Sequence, residues 1–208
     1  MHWVIALLIV VVASACSSPE TDASAEGAPA DQPPNTTGPP NHDNSEGTIG
    51  TGFTLPLRQG ESPRVTDGIP HIQLDQTSTP EMLAKLSAWA FSLDGVVEQP
   101  SRASLPGAKA LIVAPELPIR AEATIVGREF AHIHPNPNGG GSLHLRLPAD
   151  QANEVVDRGW GEWHPFALDG TMVGMVMVYA PRSDEDLAVV QTIIEAAAAY
   201  AISIVNGE

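Results

Sequence analysis

Leu83, Leu86, Trp89, Ala90 and Leu93 recur at the spacing of one helix face. Thr79-Pro80-Glu81 just before them combines an N-cap, a first-turn proline and an acid near the positive dipole end. Asp94-Gly95 marks where that helix should stop. Apolar runs then predict strands at residues 96–98, 108–114, 124–134, 142–147 and 171–180, the last apolar almost throughout and so expected to be central. Residues 135–141, with two prolines and three consecutive glycines, read as the turn of a hairpin. Residues 148–158 predict a short helix closed by Gly159. Ser183, followed by Asp184, Glu185 and Asp186, caps a last helix with Leu187, Val190, Ile194, Ala197, Ala201 and Ile204 on its buried stripe. Hairpins mixed with helices imply an α+β fold: an antiparallel sheet with helices packed mainly on one face. A single domain over residues 67–208 accommodates all of these elements.

The chain before residue 67 has a different texture. Residues 17–65 are rich in Pro, Gly, Ser, Thr and Asn. Such a segment buries too little apolar surface to offset its ordering entropy, and it is expected to be a disordered tether. Residues 3–15 form a continuous apolar run. A spanning helix needs about 20 residues, so the run fits the core of an export signal instead. It ends in Ala13-Ser14-Ala15-Cys16, which resembles the lipobox of bacterial lipoproteins. That resemblance implies a signal at residues 1–15, cleavage before Cys16 and a diacylglycerol on its sulfur. The partner is then the membrane, and the place is its extracytoplasmic face. The alternative is an ordinary secretory signal with an incidental cysteine.

Composition narrows the function classes. Cys16 is the only cysteine, so no disulfide forms within the chain. The formal net charge is −15, and Lys and Arg form no cluster. Nucleic-acid binding through phosphates is therefore not expected, nor is a polybasic grip on anionic lipid.

Seven histidines occur, and His132, His134, His144 and His164 fall close together. Residues two apart on a strand share a face. His132 and His134 thus share a face with Phe130 and Arg128, while Glu129, Ala131 and Ile133 point the other way. On the partner strand Ser142, His144 and Arg146 oppose Leu143, Leu145 and Leu147. The apolar sets must meet at the core, which fixes the parity of the register. With a turn at residues 135–141, His134 faces Ser142 and His132 faces His144, at a Cβ separation of about 4.5–5.5 Å. Three crowded imidazoles suit a divalent transition metal bound by His132, His134 and His144. Acid–base chemistry by a coupled pair and anion binding with arginine are the other options. Trp160, Trp163 and Tyr179 lie near a glycine-bounded turn and are candidates for the wall of a small-molecule pocket.

Four motifs in order resemble the luciferase domain family, shared by fungal luciferases and bacterial proteins. They are Gly127-Arg128-Glu129-Phe130-Ala131-His132-Ile133-His134-Pro135, Ser142-Leu143-His144-Leu145, Gly159-Trp160-Gly161-Glu162 with His164-Pro165, and Val178-Tyr179-Ala180-Pro181-Arg182. Fungal luciferases are oxygenases that oxidise a hydroxypyrone and emit light. The resemblance implies His132, His134, His144, His164 and Arg128 as site residues. Three readings follow. One is an exported, lipid-anchored enzyme, oxygen- or metal-dependent, acting on a small aromatic or apolar molecule. Another is a non-catalytic lipoprotein that binds a small molecule or a metal. A structural or adhesive role is a third.

Overall fold

The computed structural model describes residues 52–202. Cys16 and the expected export signal lie outside them. Among the described residues no helix is long and apolar enough to cross a membrane.

Six strands form one antiparallel sheet in the order β1-β2-β3-β4-β6-β5. They are β1 (Val96–Pro100), β2 (Lys109–Val113), β3 (Glu129–Ile133), β4 (Leu143–Arg146), β5 (Gly161–Trp163) and β6 (Met175–Val178). The helices are α1 (Pro80–Ala90), α2 (Ala149–Asp157), α3 (Pro165–Leu168) and α4 (Asp184–Ala201). The α+β expectation holds. The caps do as well: Thr79 Oγ1 accepts from Met82 N–H and Ser183 Oγ from Asp186 N–H.

The strands differ from the sequence expectation mainly in length. The run from residue 124 does not begin as a strand, because Gly127 sits at φ +60° in a turn that Ile125 N–H and Glu129 O close at 2.6 Å. The run from residue 171 starts late, after Gly174 at φ +77°. A Cβ at Gly174 would run into the Leu147 carbonyl oxygen. β6 is also second from the edge, because β5, which periodicity reads as part of a turn, pairs outside it. Three residues are too few to show a period.

Cross-strand pairing sorts the side chains into two rows. Leu111, Ala131, Leu145, Val176 and Trp163 are successive partners across β2, β3, β4, β6 and β5. They face α1, α2 and α4 and share one core with Leu86, Val155, Val190, Ile193 and Ile194. Each such Leu, Ile or Val, fully buried, stabilises the fold by roughly 1.5–3 kcal/mol. The other row runs Ala110, His132, His144, Met177, Glu162. It faces away from these helices.

Part of the segment expected to be tether belongs to the domain. Leu55 is 3% exposed within the core, its N–H donates to Glu154 Oε1 at 2.9 Å, and Pro56 O accepts from Trp160 Nε1 at 2.6 Å. Farther on, Val65 bridges Gln73, Gln73 Oε1 accepts from Ala180 N–H, and Ser78 N–H donates to Gly140 O. Composition hides this because the anchoring depends on a few well-placed side chains between prolines and glycines. Leu55→Ala should therefore cost about 2–4 kcal/mol, read from the urea midpoint of the purified protein. A tether residue would cost nothing.

Candidate functional site

β3 and β4 pair with His132 opposite His144, as parity requires. His134 N–H donates to Ser142 O at 2.9 Å, continuing the register to the turn. All three imidazoles are buried. His144 is the hub: its ring centroid lies 4.6 Å from that of His134, 5.0 Å from His132 and 4.5 Å from His164. A fifth imidazole, His71, stacks on His144 at 5.3 Å with the rings 8° from parallel. His71 comes from the segment that covers this face, and its own stretch of chain carries no motif that singles it out.

Two sets of three histidines each offer one nitrogen apiece within 4.8 Å of one another: His71, His144 and His164, and His132, His134 and His144. One cavity of about 530 Å³ collects four of them, His71, His134, His144 and His164. Its walls are largely apolar and include Ile69, Leu105, Ile125, Val126, Phe166 and Met172. His132 lies behind His144 and does not line it.

Hydrogen bonds assign roles to the individual nitrogens. His71 Nε2 donates to Glu162 Oε1 at 2.7 Å, which leaves Nδ1 as a bare lone pair. Ser142 Oγ donates to Gly139 O at 2.7 Å, so towards His134 Nδ1, 2.9 Å away, it can only accept. His134 Nε2 is then a lone pair too. His164 is different. Its Nδ1 accepts from Phe166 N–H at 3.1 Å as the N-cap of α3, so the neutral ring carries its hydrogen on Nε2. His71 Nδ1 and His144 Nε2 are buried and have no hydrogen-bond partner among the described residues. An unsatisfied buried polar atom costs about 1–3 kcal/mol, so these two nitrogens are poised for something that binds.

Several expected site residues sit elsewhere. Arg128 donates to the carbonyls of Val113, Ala114 and Leu117, clamping the chain after β2. Trp160 is in the core, and Trp163 packs against it. Tyr179 donates to Glu162 Oε2 at 3.0 Å, behind His71. Burial and the nearby Glu162 charge push its phenol well up, so it stays a neutral donor. None of these four lines the cavity.

Glu129 moves in the opposite sense. Alternation puts it on the core face, yet its Oε1 lies 2.9 Å from His132 Nδ1. A β-bulge is the cause: Leu111 pairs with Ala131, but the next residue, Ile112, pairs with Glu129. The extra residue, Phe130, turns into the core, and Glu129 joins the histidine face. A bulge leaves no mark on hydrophobic periodicity.

Residues 127–197 match the luciferase domain family. The chain carries a luciferase-like domain. It is 33% identical over 163 residues to a luciferase of Armillaria gallica and 32% identical over 164 residues to a luciferase of Neonothopanus nambi. Each match covers 70% of this chain and 60% of the relative. A luciferase of Armillaria mellea is 38% identical over 104 residues, 45% of this chain and 38% of its own. The luciferase-like chain thus spans no more than about 60% of the length of these curated relatives. No solved structure matches it.

Burial and crowding disfavour the charged form of three imidazoles of the luciferase-like domain, His134, His144 and His164. Burial, then the neighbouring histidines, lowers His134 to about 3 and His164 to about 4, and holds His144 well below its ordinary 6.5. The folded domain therefore refuses protons that the unfolded chain accepts below about pH 6.5. Stability is complete above that pH and falls as the pH drops towards 4, by up to about 1.4 kcal/mol per unit for each histidine. In metal-free protein the urea midpoint should fall steadily between pH 7.5 and 5.0, where carboxylates barely titrate. A flat profile would contradict neutral burial.

Proposed function

We propose that this chain is an exported, lipid-anchored enzyme of the luciferase type that oxidises a small apolar or aromatic molecule with oxygen, using a divalent transition metal. The observation that carries the reading is the pair of buried, unpartnered nitrogens, His71 Nδ1 and His144 Nε2, at a cavity with apolar walls. Neutral imidazoles are ligands for zinc, copper and iron. His144 is common to both convergent sets. His71, with a bare Nδ1, joins His144 in one set, and His134, with a bare Nε2, joins it in the other. The second set is the expected one, His132, His134 and His144, in which His132 Nε2 lies 3.0 Å from His144 Nδ1.

When bound, such a metal supplies Lewis-acid and oxygen chemistry. The protein supplies the rest. Ile69, Ile125, Phe166 and Met172 hold the apolar body of the substrate and exclude water. His164 Nε2–H donates a hydrogen bond to an oxygen of the bound molecule. Glu162, braced by Tyr179, orients His71.

The test uses purified full-length protein, elemental analysis and an oxygen electrode with a hydroxypyrone substrate. The expected result is about one bound metal and measurable oxygen uptake. His144→Ala should lose the metal and at least about 100-fold of the rate, a loss of roughly 2.7 kcal/mol in transition-state stabilisation. Absence of both metal and uptake in the wild type would sink the reading. The second reading, a lipoprotein that binds a metal or a small molecule without turnover, rests on the convergent histidine sets alone. It predicts metal without oxygen uptake.

Anchoring rests on the Ala13-Ser14-Ala15-Cys16 pattern. Cys16→Ser should move the protein from the membrane fraction to the soluble one and abolish palmitate labelling in a bacterial host. Unchanged fractionation would refute the anchor.

A further inference from the structure

Glu129 is 1% exposed, yet it is not in the cavity. Its carboxylate collects three hydrogen bonds. Ser101 Oγ donates to Oε1 at 2.7 Å, Arg102 N–H to Oε2 at 3.1 Å, and His132 Nδ1 lies 2.9 Å from Oε1. Burial pushes this carboxyl up, but the hydrogen bonds outweigh it and hold the group below its ordinary value, as an anion. On the far side of His132, Nε2 meets His144 Nδ1 at 3.0 Å. Beyond that stands His144 Nε2, buried and unpartnered.

We infer that Glu129 is a positioning residue that acts through His132 to keep the cavity-lining His144 as the Nδ1–H tautomer, with a bare lone pair on Nε2. The argument is one of hydrogen accounting. A carboxylate accepts only, so a neutral His132 carries its hydrogen on Nδ1. His132 Nε2 is then an acceptor, and the hydrogen between the two rings must belong to His144 Nδ1. A neutral imidazole has one N–H, so His144 Nε2 has none. Nitrogen Nε2 can then take a metal, or a proton from a bound molecule. Without Glu129 nothing in this chain of contacts prefers that tautomer to its reverse.

The same accounting predicts what an isosteric change does. Arg102 N–H can only donate. The amide of Glu129→Gln must therefore turn its oxygen to Arg102 and its NH₂ to Ser101 and His132 Nδ1. His132 Nδ1 becomes an acceptor, its hydrogen moves to Nε2, and His144 Nδ1 has to accept. The whole chain inverts, and His144 Nε2 acquires a hydrogen. The side chain's size is unchanged throughout.

This inference rests on the reading of the cavity as the working site, but its test does not require turnover. The experiment is nitrogen-15 NMR of the imidazoles in full-length protein freed of metal, at pH 8, where an ordinary imidazole is neutral. In the wild type, His144 should show a protonated Nδ1 and a bare Nε2. Glu129→Gln should show the reverse at both His132 and His144. Ser101→Ala, which keeps the carboxylate, should leave the wild-type pattern. Titration with Zn²⁺ alone should give an affinity about 10- to 100-fold weaker for Glu129→Gln. A hydrogen on His144 Nε2 in the wild type overturns the inference, and that spectrum decides the matter even if the variant fails to fold. A Glu129→Gln variant with unaltered tautomers overturns it as well. Absent oxygen uptake alongside the expected spectra counts against the proposed reaction and leaves the role of Glu129 standing.

Discussion

In an antiparallel pair a slip of one residue turns every side chain to the opposite face. The β3–β4 pairing is where that constraint governs this protein. Ala131 and Ile133 meet Leu145 and Leu143, and both pairs face the helices. His132 must then meet His144 on the other face. The alternative register would bury imidazoles under α4 and strand leucines outside the core. Core packing and the assembly of the histidine cluster are therefore one event, enforced by the apolar row.

The second face would be an ordinary polar surface if it were open. Instead the chain folds back over it. Residues 65–78 lay His71 onto His144, and the loop after β1 brings Ser101 and the Arg102 backbone to Glu129. Enclosure makes protonation of His134, His144 and His164 expensive, so these rings serve as neutral donors and acceptors whose roles are set by their neighbours. Each of the central rings has a support: Glu162 behind His71, Ser142 behind His134, and Glu129 with His132 behind His144. The family match covers residues 127–197. His71 and the wall residues near Leu105 lie outside that stretch, so the cavity is more than the matched motifs.

The motifs themselves divide between chemistry and architecture. Arg128 caps carbonyls at the end of β2, and Trp160 ties the N-terminal segment to the core. Gly161 lets β5 lie against β6, since a Cβ there would collide with the Met177 carbonyl. Glu162 and Tyr179 brace His71 from behind. A motif residue beside a cavity is thus not always a residue in it.

Much of this was legible along the chain, because periodicity and capping are local. The α+β class, the caps at Thr79 and Ser183, and the opposition of His132 to His144 follow from side-chain alternation and turn chemistry. Three-dimensional contacts decided the rest. His71 could reach His144 only through a return of the chain that composition does not announce. Leu55 and Pro56 dock because Glu154 and Trp160 are waiting far along the sequence. Glu129 changed sides because one bulged residue, Phe130, was drawn into the core. Local pattern determines which residues share a face within a regular strand. A single extra residue, or a distant segment lying across the sheet, alters that arrangement for reasons of packing that no window of sequence contains.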